Sequence, residues 1–303
     1  MTYVAGFVAA VPAANKEAYR KHAADAAPLF KEFGATRMVE AWGDDVPDGK
    51  VTDFKGAVKA KPDEVVVFSW MEFPSKDAHD AATQKIMSDP RMKEIGAGMP
   101  FDGQRMIYGG FATLIDDGAR TRPGYVDGYL VPVPKDKKEA YRAMARKAAQ
   151  IFKDHGAIRV VEAWGDDVPD GKVTDYKGAV KATADENVVY SWVEWPSKQA
   201  RDEGWKKVMA DERMQPGQNP MPFDGKRMIY GGFAPILDTQ SAEAGAPSEA
   251  RQREGGDCCR CMVSPAAKSS ARRWVTIAWF SDTYSPQVMS RLISRAVFAS
   301  PRA

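Results

Sequence analysis

The sequence is poor in the residues that carry most recognisable chemistry. It has only three cysteines, all within Cys258–Cys261, which excludes a disulfide-stapled secreted scaffold. No run approaches the ~18 apolar residues that a spanning helix needs, so no membrane partner is expected. Lys plus Arg exceed Asp plus Glu by only 43 to 41, too small an excess for an electrostatic nucleic-acid binder. Neither the G-x-G-x-x-G fingerprint of dinucleotide sites nor an RNA-binding RNP pattern occurs. What remains is a chain of 303 residues, 44% apolar and 28% charged, the composition of an ordinary soluble, cytoplasmic protein.

The chain is a duplication. Residues 3–116 realign on 125–238 at a constant offset of 122 with no gap, and about 70 of the 114 pairs are identical. VEAWGDDVPDGKVTD at 39–53 recurs letter for letter at 161–175, and MPFDG-x-RMIYGGFA occurs at 99–112 and 221–234. The organisation expected is a first repeat at 1–118, a linker at 119–124, a second repeat at 125–238 and a tail at 239–303. The N-terminal TYVAGFVAAVPAAN resembles a weak signal peptide. It lacks a basic start, and its counterpart GYVDGYLVPVPKDK lies in mid-chain, so it reads as structure.

Each copy reads as βαββαβ. Tyr3–Val11 is a strand closed by Pro12. Asn15 is placed to cap a helix carrying Tyr19, Ala23, Ala26 and Phe30, which ends near Gly34. A strand over Ala35–Trp42 leads into the GDDVPDGK loop, and Val51–Lys59 reads as irregular. Glu64–Phe73 is a strand, and Pro74–Ser75 opens a helix broken near Asp89–Pro90. Arg105–Ile115 is the last strand. Two helices among four strands describe a ferredoxin-like α+β unit. Along Val65–Phe73 both faces are apolar, so helices cover one and a second sheet must cover the other.

The EAWGDDVPDGKVTDF block, the VVFSWMEFPSK junction and the MPFDG-x-RMIYGGF ending resemble the YbaA-like family, domain-of-unknown-function family 1428. The resemblance spans both copies. It implies two ferredoxin-like units packed sheet to sheet as a dimeric α/β-barrel, here within one chain, and it implies no particular reaction.

The tail differs. Residues 239–303 contain eight Arg and one Lys and begin with a low-complexity stretch that reads as disordered. Cys258 and Cys261 have C-x-x-C spacing beside Cys259, but no second ligand pair follows, so no zinc site is expected. A short basic helix is conceivable over 286–300, docked loosely or free.

Comparing the copies narrows the chemistry. His22, His79 and His155 face Met144, Arg201 and Phe33 across the repeat. A site present in both halves therefore contains no histidine, which argues against a His triad, a His-ligated haem or zinc, and no cofactor or metal is expected. The Gly43–Lys50 loop has five residues between its glycines and three aspartates, which fits neither a phosphate loop nor an EF-hand. Strand residues kept in both copies remain: Glu40, Trp42, Trp70, Glu72, Arg105 and Tyr108, with Glu162, Trp164, Trp192, Glu194, Arg227 and Tyr230. They read as ion pairs and Trp packing at the interface, or as an aromatic pocket in which a Glu acts as general base. If Glu40 and Glu72 share the barrel interior, at least one carboxyl should be shifted upward, opposed by Arg105 or Arg227 in range. The expected function is small-molecule binding. The alternatives are a non-catalytic scaffold and a cofactor-independent enzyme using a barrel Glu. An intrachain pseudo-dimer is expected, and further self-association is left open.

Overall fold

The computed structural model describes residues 2–240 apart from Pro216; the readings of Cys258, Cys259, Cys261 and of a helix over 286–300 lie outside these residues. In the first half, β1 (Tyr3–Pro12), α1 (Lys16–Glu32) and β2 (Arg37–Asp45) are followed by a short α2 (Phe54–Ala57), β3 (Glu64–Phe73), α3 (Lys76–Ser88), α4 (Pro90–Ala97) and β4 (Ile107–Gly118). The second half repeats this as β5 (Tyr125–Pro134), α5 (Lys138–Asp154), β6 (Arg159–Asp167), α6 (Tyr176–Ala179), β7 (Glu186–Trp195), α7 (Lys198–Ala210) and β8 (Ile229–Asp238).

Local chemistry accounts for most boundaries. Ser75 accepts from the Ala78 N–H to start α3, and Asp89 caps α4 ahead of Pro90, so the expected break becomes a second helix. Asn15 departs from expectation: its side chain makes no cap bond and donates instead to the Pro100 carbonyl at 2.8 Å. The stretch read as irregular carries α2, because Asp53 accepts from the Gly56 N–H. β2 runs three residues further than expected because Asp45 still pairs with Gly232. Arg105 does not open β4; it closes a 3-10 turn over Gly103–Arg105, and the strand begins at Ile107.

Each half has the order β4-β1-β3-β2 or β8-β5-β7-β6, and the two sheets also join edge to edge. β2 pairs with β8 and β4 with β6, both antiparallel, which closes an eight-stranded barrel. Closure leaves neither sheet with a free edge. The barrel interior is aromatic: Phe68 stacks on Tyr190 at 4.5 Å between ring centroids, with Phe54, Phe111, Tyr176 and Phe233 around them. Gly6 and Gly128 make this possible. A Cβ at Gly6 would come within 2.9 Å of the Tyr190 ring, and one at Gly128 within 2.9 Å of the Phe68 ring. Separate apolar clusters pack on the outer face of each sheet, under the helices.

Candidate functional site

The twelve residues singled out above do not form one pocket. Side chains alternate across a strand, and the structure divides them between the barrel interior, the helix-covered outer face and the surface.

Trp70, Glu72, Trp192 and Glu194 meet inside the barrel at one end. The two indoles lie 4.6 Å apart between ring centroids and 31° from parallel. Trp70 donates to Glu72 at 3.2 Å and Trp192 to Glu194 at 3.0 Å. Two arginines that the sequence reading missed complete the cluster. Arg37 reaches Glu194 at 3.0 Å and Asp238 at 2.8 Å, while Arg159 reaches Glu72 at 2.7 Å and Asp116 at 2.6 Å. Each guanidinium therefore ties its own half to the other. Burial pushes the Glu72 carboxyl up, but Arg159, Arg37 and the linker residue Arg120 outweigh it and hold it below its ordinary value. At Glu194 burial prevails over Arg37 and Arg159, and the carboxyl is raised. With every carboxylate paired, this cluster reads as an interface lock.

Glu40 and Glu162 lie on the opposite face of the sheet, so the expectation that Glu40 shares the interior with Glu72 is corrected. Arg37, Val39 and Ala41 take the inward positions of β2, leaving Glu40 and Trp42 beneath α1. The Tyr19 hydroxyl donates to Glu40 at 2.6 Å, and the Ser69 hydroxyl bonds to the same oxygen. In the second half the Tyr141 hydroxyl donates to Glu162 at 2.7 Å, with Ser191 also hydrogen-bonded to that carboxyl. Burial pushes both carboxyls up to about 7 against the opposing pull of these hydroxyls. No cation contributes at either position. Trp42 and Trp164 sit nearby on the same faces, with Lys16 at 5.4 Å and Lys138 at 5.2 Å from the respective ring centroids.

The remaining residues lie elsewhere. Arg105 pairs with Glu64 and Arg227 with Glu186, each at 2.6 Å, so neither arginine opposes the shifts at Glu40 or Glu162. Tyr108 is exposed and Tyr230 is half-buried.

Around Glu162 the structure opens a cavity of about 40 Å³ between the sheet and α5. Its walls include Tyr129, Tyr141, Phe152 and Phe223, with Val160, Val193 and two methionines. At the equivalent positions of the first half, Met38 and Met71 stand in place of the two valines, and Phe7 in place of Tyr129. Met38 and Met71 are buried in the first-half outer cluster. The second half also holds Asp127, buried beneath α7, where it accepts from Arg201, Trp195 and Trp205 at 2.8–2.9 Å. Its counterparts Ala5, His79, Phe73 and Thr83 cannot reproduce this network. Among the described residues no group of three or more His, Cys, Asp or Glu side chains is arranged to hold a metal ion.

The family model described as "Protein of unknown function (DUF1428)" matches residues 2–103 and again 124–225. The uncharacterised protein YbaA of Escherichia coli K12 is 70% identical over 117 residues, which is 39% of this chain and the whole of that protein. YbaA of Shigella flexneri matches to the same extent. Among solved structures, a putative monooxygenase of Fusobacterium nucleatum is 11% identical with a TM-score of 0.47, covering 78% of this chain and 93% of that one. An anthrone oxidase-like protein is 12% identical with a TM-score of 0.43, covering 82% and 97%.

Proposed function

The chain belongs to the DUF1428 family, twice over, and from that premise we propose that it binds a small molecule in the cavity between the second sheet and α5. The observation that carries this reading is the Glu162 carboxyl, set without a cationic partner into a cavity of about 40 Å³ with largely apolar and aromatic walls. The Tyr141 and Ser191 hydroxyls offset only part of the cost of burying this charge, since burial still holds the carboxyl up at about 7, and a ligand can supply the rest. The volume suits a molecule of about two to four non-hydrogen atoms, given that a single water needs some 10–15 Å³ measured the same way.

The test is a ligand-observed NMR screen of compounds of that size against the full chain and against the double variant Val160→Met, Val193→Met. This variant installs the side chains that the first half already accommodates. Compounds that transfer saturation from the wild-type protein are expected to lose the effect in the filled variant. Equal binding to both proteins, or no binder at all, would overturn the reading.

A second reading, a non-catalytic scaffold, draws support from the aromatic rings that fill the barrel interior. The ligand reading therefore rests on the outer-face cavity beside Glu162. A screen that finds no binder would favour the scaffold.

A further inference from the structure

The pocket beside Glu162 has a specific chemical character. Its one acidic side chain receives hydroxyl donors, Tyr141 from α5 and Ser191 from β7, the pattern of bonds made to an ionised carboxylate. The groups packed around it are phenols and hydrocarbon. Tyr129 from β5 faces it, and near Tyr129 Arg201 is held by three aspartates, Asp127 at 2.8 Å, Asp202 at 3.0 Å and Asp45 at 3.2 Å. No positive group completes the site. Four of the lining side chains, Tyr129, Tyr141, Phe152 and Phe223, are aromatic, and aromatic faces attract organic cations within ~6 Å.

Resting on the small-molecule reading above, the geometry points to the ligand class: a small organic cation, an alkylammonium of a few carbon atoms, with its charge on Glu162 and its alkyl part against the aromatic wall. A neutral molecule would add no opposite charge to a carboxylate that has only two hydroxyl partners. An anion would add like charge to it. The first half keeps the carboxylate and both hydroxyls as Glu40, Tyr19 and Ser69 but has Met38, Met71 and Phe7 in the walls. The inference is therefore confined to the second half, where the cavity lies beside Glu162.

The experiment titrates the full chain with ethylammonium chloride, ethanol and sodium acetate at constant ionic strength, following backbone amide shifts. Ethylammonium stays protonated throughout, its amine being comparable to the Lys side chain with its pKa of about 10.4. Any pH dependence between 6 and 8 therefore reports the protein. With the Glu162 carboxyl near 7, ethylammonium should bind about tenfold more tightly at pH 8 than at pH 6, as the ionised fraction rises. Glu162→Gln should remove both the binding and its pH dependence, and Tyr129→Leu, which removes an aromatic face, should weaken binding while leaving that dependence in place. Ethanol binding as well as ethylammonium, with no change across this pH range, would overturn the cation assignment and leave the small-molecule reading standing. Binding of none of the three at the cavity, together with an empty fragment screen, would remove both.

Discussion

At the scale of single residues, Glu40 and Glu162 are the groups whose chemistry the fold changes most usefully. Burial pushes their carboxyls from an ordinary 4.5 up to about 7. Between those values the native state holds protons that the unfolded chain has released, so these two groups make stability fall as pH rises from about 4.5 to 7 and level off above. A tenfold change in proton affinity corresponds to about 1.4 kcal/mol, so the loss per glutamate is a few kcal/mol at most. Glu64 and Glu186 act in the opposite sense. Arg105 and Arg227 hold them down to about 2, and their contribution is present above pH 4.5 and is lost only as pH falls towards 2. A comparison between pH 5 and pH 8 therefore leaves Glu64 and Glu186 ionised at both ends, and setting a variant against wild type cancels His22, whose pKa burial lowers. Glu40→Gln, which keeps an acceptor for Tyr19 and Ser69, is expected to be about 1–3 kcal/mol more stable than wild type at pH 8 and to show no such gain at pH 5. Urea unfolding at the two pH values measures this. The same difference from wild type at both would mean that the carboxyl titrates normally in the folded protein.

At the scale of elements, the strands and helices were legible wherever local chemistry decides them. Glu64–Phe73 is a strand as expected, since its run of Val, Phe and Trp leaves little choice, and Asp89–Pro90 does mark a helix boundary. Asn15 misleads because an Asn before a helix also has other uses, here a bond to Pro100. The site was legible only in part. Repetition across the halves singled out Glu40, Glu72, Trp70 and Trp42, all of them buried, but their division between two faces depends on where each strand starts. Arg37 went unnoticed because it begins a strand, and its partner Glu194 lies 157 residues away in sequence. Its importance is open to measurement. Arg37 binds Glu72, Glu194 and Asp238 while almost fully buried. Arg37→Ala should therefore cost about 3–5 kcal/mol by leaving Asp238 without a counter-charge and Glu194 with Arg159 alone. Adding Glu194→Gln to that variant should recover part of the loss, because one of those charges is removed. A cost under about 1 kcal/mol would show that the cluster does not hold β2 against β8.

At the scale of the whole molecule, the two joins between the halves are near copies of one another. Val39 pairs with Asp238 and Asp45 with Gly232 on one side; Val161 pairs with Asp116 and Asp167 with Gly110 on the other. Both joins carry register shifts at corresponding places, Glu40/Ala41 and Thr113/Ile115 among them. Such pairing is the form a two-fold symmetric contact takes when one patch meets a copy of itself, and a linker converts it into an intramolecular contact at high effective concentration. Residues 1–118 alone would expose two strand edges and the open face bearing Phe68 and Trp70, more than a soluble monomer tolerates. A second copy can cover them. Arg37 of one copy would meet Glu72 of the other, as Arg159 now meets Glu72, and Phe68 would stack on Phe68 where Tyr190 now lies. Residues 1–118 expressed alone are therefore expected to form a homodimer by light scattering, and residues 1–240 a monomer of the same barrel. Arg37→Ala should shift the shorter chain towards dissociation, since every interface cluster then loses both of its inward arginines. A folded monomer of residues 1–118, with native dispersion of its amide NMR signals, would show that closure is not what stabilises each half. An obligate oligomer of residues 1–240 would show that the joins form between chains rather than within one.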